Sequence, residues 1–253
     1  MRFLFTLLLL AALPAAAGTA RHDLDGRSYH VATPAGWDGV SPLPVLIHFH
    51  GWGRTGAQVL RNQRIAAAAS EAGVLLVAPD GLGKSWAFWS AEQRRDVDFT
   101  DAVLADLSAR YPVARDRVFL SGFSYGGAMV WRIAMARGDA FAGYLPIAGA
   151  LRGFALERPA GPARVWHVHG LEDGVMRPPV RRTDGIGAME VWLEAQGLGP
   201  APARAFTTGD HACRDWGDAE VRLCLHPGGH WIPRDWLAAM LPEMLGAERT
   251  AAN

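Results

Sequence analysis

The stretch Gly122-Phe123-Ser124-Tyr125-Gly126 sets a hydroxyl between two glycines, directly after the apolar run "RVFLS" and before "GAMVWRIAMAR". A serine on a tight turn from strand to helix projects its Oγ above a sheet, where it can attack an acyl carbon. Gly122 and Gly126 lack Cβ atoms, so neighbouring backbone can pass close to such a turn. The hydroxyl is a poor nucleophile until a base takes its proton, and histidine is suited to that task. Of the nine histidines, His230 follows a strand-like run and Gly228-Gly229, just before a helix that Pro233 could open. His226, at the end of that run, is the rival. His22 and His30 come too early, His48 and His167 fall within strands, and His211 lies in a polar loop with the cysteines.

An imidazole acting as base needs a carboxylate to hold its tautomer and stabilise the imidazolium that forms. Asp173, in "HVHGLEDGVMRP", follows an apolar run and lies between Ser124 and His230. Taken alone, Asp173-Gly174 is ordinary turn chemistry. Glu172 is adjacent, but the shorter side chain and position of Asp173 fit better. The intermediate's oxyanion needs backbone donors. One is expected from the N–H of Tyr125, and the other from the loop "HGWG", with Trp52 N–H first and Gly53 second. The side chain of Trp52 is then free to line a substrate site. The aromatic faces of Trp86, Trp89 and Trp231 could stack on a substrate ring. For Trp86 and Trp89 the competing expectation is packing of a long loop onto the core.

These residues need elements to position them. "PVLIHFHG", "VLLVAPDG", "RVFLSG", "GYLPIAG" and "RVWHVHG" are short apolar runs ending in glycine, as strands covered on both faces read. Between them, residues 56–73, 96–111 and 124–139 have the length and pattern of helices. The last is apolar nearly all round, as a helix packed inside the protein would be. The alternation predicts an α/β fold: a mostly parallel sheet with helices on both faces, and a site beyond the carboxyl ends of the strands. In α/β-hydrolases the chain order runs nucleophile, acid, histidine, which is the order Ser124, Asp173, His230.

Residues 1–17 read as a signal peptide, with Arg2, an apolar run and small residues at Ala15 and Ala17. Cleavage is expected after Ala17, with Ala20 as the alternative. The apolar run is shorter than the roughly 20 residues that span a bilayer. Residues 18–253 then form one catalytic domain, exported to periplasm or medium and not held in a membrane. With 25 basic residues against 25 acidic ones and one lysine, Lys84, the chain lacks the basic footprint of a nucleic-acid binder. In an oxidising compartment Cys213 and Cys224 are expected to pair.

The chain resembles the secreted polyhydroxybutyrate depolymerase and feruloyl or acetylxylan esterase group of α/β-hydrolases, the carbohydrate esterase family 1 type. "HFHGWG", "APDGLGKSW", "DVDFTDAVLADLSARYPVARDRVFLSGFSYGGAM", "VHGLED" and "GGHWIP" carry the resemblance. Tyr125 stands where many relatives have a small polar residue, and "VMRPPV" departs from the usual pattern after the acid. The resemblance implies Ser124, Asp173 and His230 as a triad, no cofactor, and an ester substrate. That ester would be a feruloyl or acetyl ester of cell-wall saccharides, or alternatively a hydroxybutyrate oligomer. Three other readings compete: a zinc hydrolase built on "HFH" and "HVH", a non-catalytic carbohydrate-binding protein, and a small serine peptidase or thioesterase.

Overall fold

A computed structural model describes residues 18–88, 92–149, 160, 164–176 and 192–246. The expected leader, residues 1–17, and Trp89 lie outside the described residues. In chain order the strands are β1 (Thr19–Leu24), β2 (Arg27–Ala32), β3 (Leu43–Phe49), β4 (Leu75–Pro79), β5 (Val113–Phe123), β6 (Gly143–Ile147), β7 (Val165–Gly170), β8 (Arg204–Thr208), β9 (His211–Trp216) and β10 (Val221–His226). They form one sheet in the order β1-β2-β4-β3-β5-β6-β7-β10-β9-β8. The six strands from β4 to β10 run parallel, and antiparallel strands flank them at both edges.

The continuous apolar runs have a structural reason. Successive side chains of a strand point to opposite faces. Val45, Ile47 and Phe49 of β3 therefore enter one core layer and Leu46 the other. In β5, Val118 and Leu120 divide from Phe119 in the same way. Helices α3 (Gln93–Arg110) and α4 (Tyr125–Arg137) cover the first face. Helices α1 (Gly56–Arg61), α2 (Gln63–Glu71) and α5 (Trp236–Met244) cover the second. Helix α4 is buried from Gly126 to Met135, as its all-round apolar sequence predicts.

Three local expectations need correction. Residues 56–73 form two helices, because Asn62 adopts an extended conformation between them and its side chain accepts from Arg64 N–H at 3.1 Å, capping the second. Helix α5 begins at Trp236, three residues after Pro233. His211 and the cysteines lie on strands and not in a loop: Cys213 of β9 is directly opposite Cys224 of β10, and the two are joined in a disulfide with Cα atoms 4.1 Å apart. Among the described residues no helix is long and apolar enough to cross a membrane.

Candidate active site

Ser124 stands between β5 and α4 with φ +58° and ψ −116°, a backbone conformation strained for any residue with a Cβ. The surroundings hold it there. Ser124 N–H donates to Ile147 O of β6 at 2.9 Å, and Ser124 O accepts from Ala128 N–H of α4. A Cβ on Gly126 would lie 1.9 Å from Phe49 O, so only glycine lets β3 pack this closely behind the turn.

The structure brings Ser124, Asp173 and His230 together at the carboxyl ends of β5, β7 and β10. His230 Nε2 is 2.8 Å from Ser124 Oγ, and His230 Nδ1 is 2.7 Å from Asp173 Oδ2. Asp173 is buried. Burial alone would raise its pKa, but hydrogen bonds from His230 and from the Val175 and Met176 N–H groups outweigh it and hold the carboxyl below its ordinary range. Glu172 is exposed, and its N–H donates to Gly228 O at 3.0 Å. That bond ties the acid loop to the turn preceding His230. His226 ends β10, where Nδ1 accepts from Gly228 N–H at 3.1 Å and the ring packs beside Trp231. With these atoms so placed, the serine can pass its proton to an imidazole that a buried carboxylate orients.

The "HGWG" loop is pinned from several sides. His50 Nε2 accepts from Gly81 N–H at 3.0 Å, so its Nδ1 carries the proton and donates to Gly51 O at 2.8 Å. Gly53 N–H donates to Lys84 O at 2.9 Å. That engagement removes Gly53 as an oxyanion donor and favours Trp52. Tyr125 opens α4, among the first N–H groups of the helix, which have no acceptor within it.

The tryptophans divide. Trp86 is a correction: it is 2% exposed, its indole N–H donates to His50 O at 2.8 Å, and its ring meets Phe49 edge-on at 5.1 Å. It has no face to offer a substrate and instead fixes the loop that carries Trp52. Trp52 and Trp231 are exposed, and both line a cleft of about 840 Å³ that also contains Ser124 and His230. Trp231 is folded back over Gly228, where a Cβ would come within 1.9 Å of its ring. The lining also includes the polar side chains of Arg54, Gln58, Asn62 and Arg64. Arg64 Nη1 also donates to Ile232 O at 2.6 Å, bracing the segment that follows His230. Sequence reasoning missed this brace, which joins residues 168 apart. Among the described residues no group of three or more His, Cys, Asp or Glu is arranged as a metal site. His50 and His169 serve backbone partners instead, with Asp173 beside His169, and His167 is held between the Trp131 indole and His169. His169 lies within β7.

Sheet order, covering helices and the strained serine turn give this chain the α/β-hydrolase fold. Residues 62–152, a span that contains α2 through β6, match the prolyl oligopeptidase family, Peptidase_S9. NocK of Nocardia uniformis subsp. tsuyamanensis, a protein assigned as an esterase, is 32% identical over 209 residues, which are 77% of this chain and 59% of NocK. The chain thus spans less than two thirds of that relative's length. Feruloyl esterase D of Neurospora crassa is 27% identical over 211 residues, 70% of each chain. The structure of an acetyl xylan esterase from Aspergillus awamori superposes with a TM-score of 0.75 at 14% identity, covering 91% of this chain and 99% of the other, a likeness of fold. These relatives bear out the resemblance to the feruloyl and acetylxylan esterase group.

Proposed function

We propose that this protein is an exported serine carboxylesterase that cleaves feruloyl or acetyl esters of plant cell-wall saccharides through an acyl-enzyme. The observation that carries the reading is the unbroken contact from Ser124 Oγ through His230 to Asp173 at an open cleft. Ser124 Oγ attacks the ester carbonyl as His230 Nε2 takes its proton, and the Tyr125 and Trp52 N–H groups receive the oxyanion. Collapse expels the alcohol, which leaves with the proton from His230. Water, deprotonated by His230, then attacks the acyl-enzyme, and the acid departs with Ser124 restored.

The cleft's lining supports the substrate class. Trp52, Val175 and Trp231, half of the large apolar side chains exposed among the described residues, border it and suit a phenolic or acyl group. Gln58, Asn62, Arg54 and Arg64, which also line it, offer hydrogen-bonding groups to sugar hydroxyls. Export rests on the leader pattern of residues 1–17, and the Cys213–Cys224 bridge suits an oxidising compartment.

The test is a panel of purified protein on methyl ferulate, acetylated xylo-oligosaccharides, hydroxybutyrate oligomers and a prolyl peptide, alongside fluorophosphonate labelling. One label, lost together with turnover in Ser124→Ala, and highest kcat/KM on the saccharide or ferulate esters are expected. A hundredfold preference for hydroxybutyrate esters would transfer the reading to depolymerase chemistry. Cleavage of the peptide alone would transfer it to the peptidase class.

A further inference from the structure

Behind Asp173 lies a row of buried rings that the reaction steps above do not use. Trp131 of α4, His167 and His169 of β7 are all fully or almost fully buried. The Trp131 indole N–H donates to His167 Nδ1 at 3.1 Å. His167 Nε2 is 3.1 Å from His169 Nδ1, and His169 Nε2 is 2.7 Å from Met176 O and 3.1 Å from Asp173 Oδ2.

The direction of this row is fixed at its far end. An indole nitrogen can only donate, so His167 Nδ1 must accept and its proton sits on Nε2. That proton is donated to His169 Nδ1, which puts the proton of His169 on Nε2, facing Met176 O and Asp173. Reversing the row would point two N–H groups at each other at Trp131. A doubly protonated His169 would do the same against His167. Burial, together with the neighbouring His169, keeps His167 neutral by pushing its pKa well below the ordinary value. Asp173 thus receives three hydrogen bonds, from the Val175 and Met176 amides on Oδ1 and from His230 on Oδ2, while the His169 N–H, given to Met176 O, lies 3.1 Å from Oδ2.

We propose that His169 is a positioning residue for the serine chemistry: its Nε2–H grips Met176 O of the turn that binds Asp173 and faces Oδ2, in a tautomer that Trp131 sets from the core through His167. The proposal rests on the triad reading of Ser124, Asp173 and His230. It accounts for two polar rings in the interior of β7, where an unpaired imidazole would be costly.

Two measurements test it. Long-range ¹H–¹⁵N spectra of ¹⁵N-histidine-labelled wild-type protein should show both His167 and His169 as Nε2–H tautomers that do not titrate between about pH 5 and 8, the range in which free histidine does. An Nδ1–H tautomer or a titrating ring at either position overturns the relay, and this readout needs no variant to fold. In kinetics, His169→Leu should lower kcat by roughly 10- to 100-fold, with KM within about twofold. His169→Gln, whose amide N–H reaches the place of Nε2, should stay within about threefold of wild type. Unchanged kcat in His169→Leu, or equal losses in both variants, would overturn the positioning role. Turnover surviving in Ser124→Ala beside the expected tautomers would instead sink the triad reading and leave the row as core structure.

Discussion

His230 Nε2 lies 2.8 Å from Ser124 Oγ across 106 residues of chain. Their strands, β10 and β5, are three places apart in the sheet, on the order of 14 Å at the usual strand spacing. The parallel strands deliver both residues to one edge, but the loop after β10 must still reach back over β7 and β6. The Gly228-Gly229 turn does this, tied by Glu172 N–H to the loop that holds Asp173. The acid therefore orients the base twice, through its carboxylate and through its loop.

Replacing that carboxylate should expose the first role. In Asp173→Asn an amide NH₂ would replace an oxygen that now accepts from His230 at 2.7 Å and faces the His169 N–H at 3.1 Å. The His169 proton has no alternative site, so His230 yields by placing its own proton on Nε2, where it can no longer act as base. We expect kcat to fall on the order of 10³- to 10⁴-fold with the fold intact by circular dichroism. A near-wild-type rate would move the acid to exposed Glu172.

Much of this was readable beforehand. The five apolar runs became the central strands because parallel strands covered on both faces need no polar alternation, and the same runs end where Ser124, Asp173 and the Trp52 loop begin. The edge strands were not legible: β8 and β9 mix charged, polar and apolar residues without alternation, as in "HACRDW", and read as a polar loop until β9 pairs with β10 and β8 with β9. Trp86 was ambiguous for another reason. An aromatic on a loop near the site looks the same in sequence whether it faces solvent or the core, and its bond to His50 O spans 36 residues. The two alternate histidines of "HVH" suggested a metal, because sequence shows shared faces but not the indole waiting behind them.

The tryptophans should separate by readout. Trp231→Ala and Trp52→Ala remove exposed faces of the cleft and should raise KM for aryl esters about 3- to 10-fold, with kcat and Tm little changed. Trp86→Phe removes a buried donor and leaves a void beside His50. It should cost about 2 kcal/mol of stability and lower kcat through the displaced loop. A Trp86 variant that alters only KM would restore the substrate-stacking role.

The disulfide joins directly opposed residues of the β9–β10 hairpin, 11 apart in sequence. Closing so short a loop stabilises by about 3 kcal/mol on the chain-entropy account. For a domain of this size that corresponds to roughly 6 to 12 °C in Tm. Reduction, or Cys213→Ala with Cys224→Ala, should therefore lower Tm by that amount while leaving kcat at 25 °C close to wild type, since neither sulfur lines the cleft. Two alkylatable thiols in the native protein would count against the bridge.

Acid should unfold this protein earlier than its carboxylates alone would. His48 is enclosed in β3 beside Ser121, and burial, followed by the proximity of His50, pushes its pKa from 6.5 to about 3. His167 is displaced in the same direction by burial. Below about pH 6.5 the unfolded chain takes up protons on both rings while the native protein does not. The unfolded state then binds more protons, and stability falls with pH by about 1.4 kcal/mol per unit for each ring. Asp173, whose carboxyl lies below its ordinary range, adds loss in the same direction only once pH falls below about 3.8. Urea unfolding should therefore show stability dropping steeply between pH 6.5 and 4.5, before carboxylates titrate. His48→Gln, which cannot ionise, should flatten that slope by about 1.4 kcal/mol per unit even though it starts from a lower stability. Equal slopes in wild type and variant would mean that His48 is hydrated or protonated in the native protein, contrary to its enclosed position on β3.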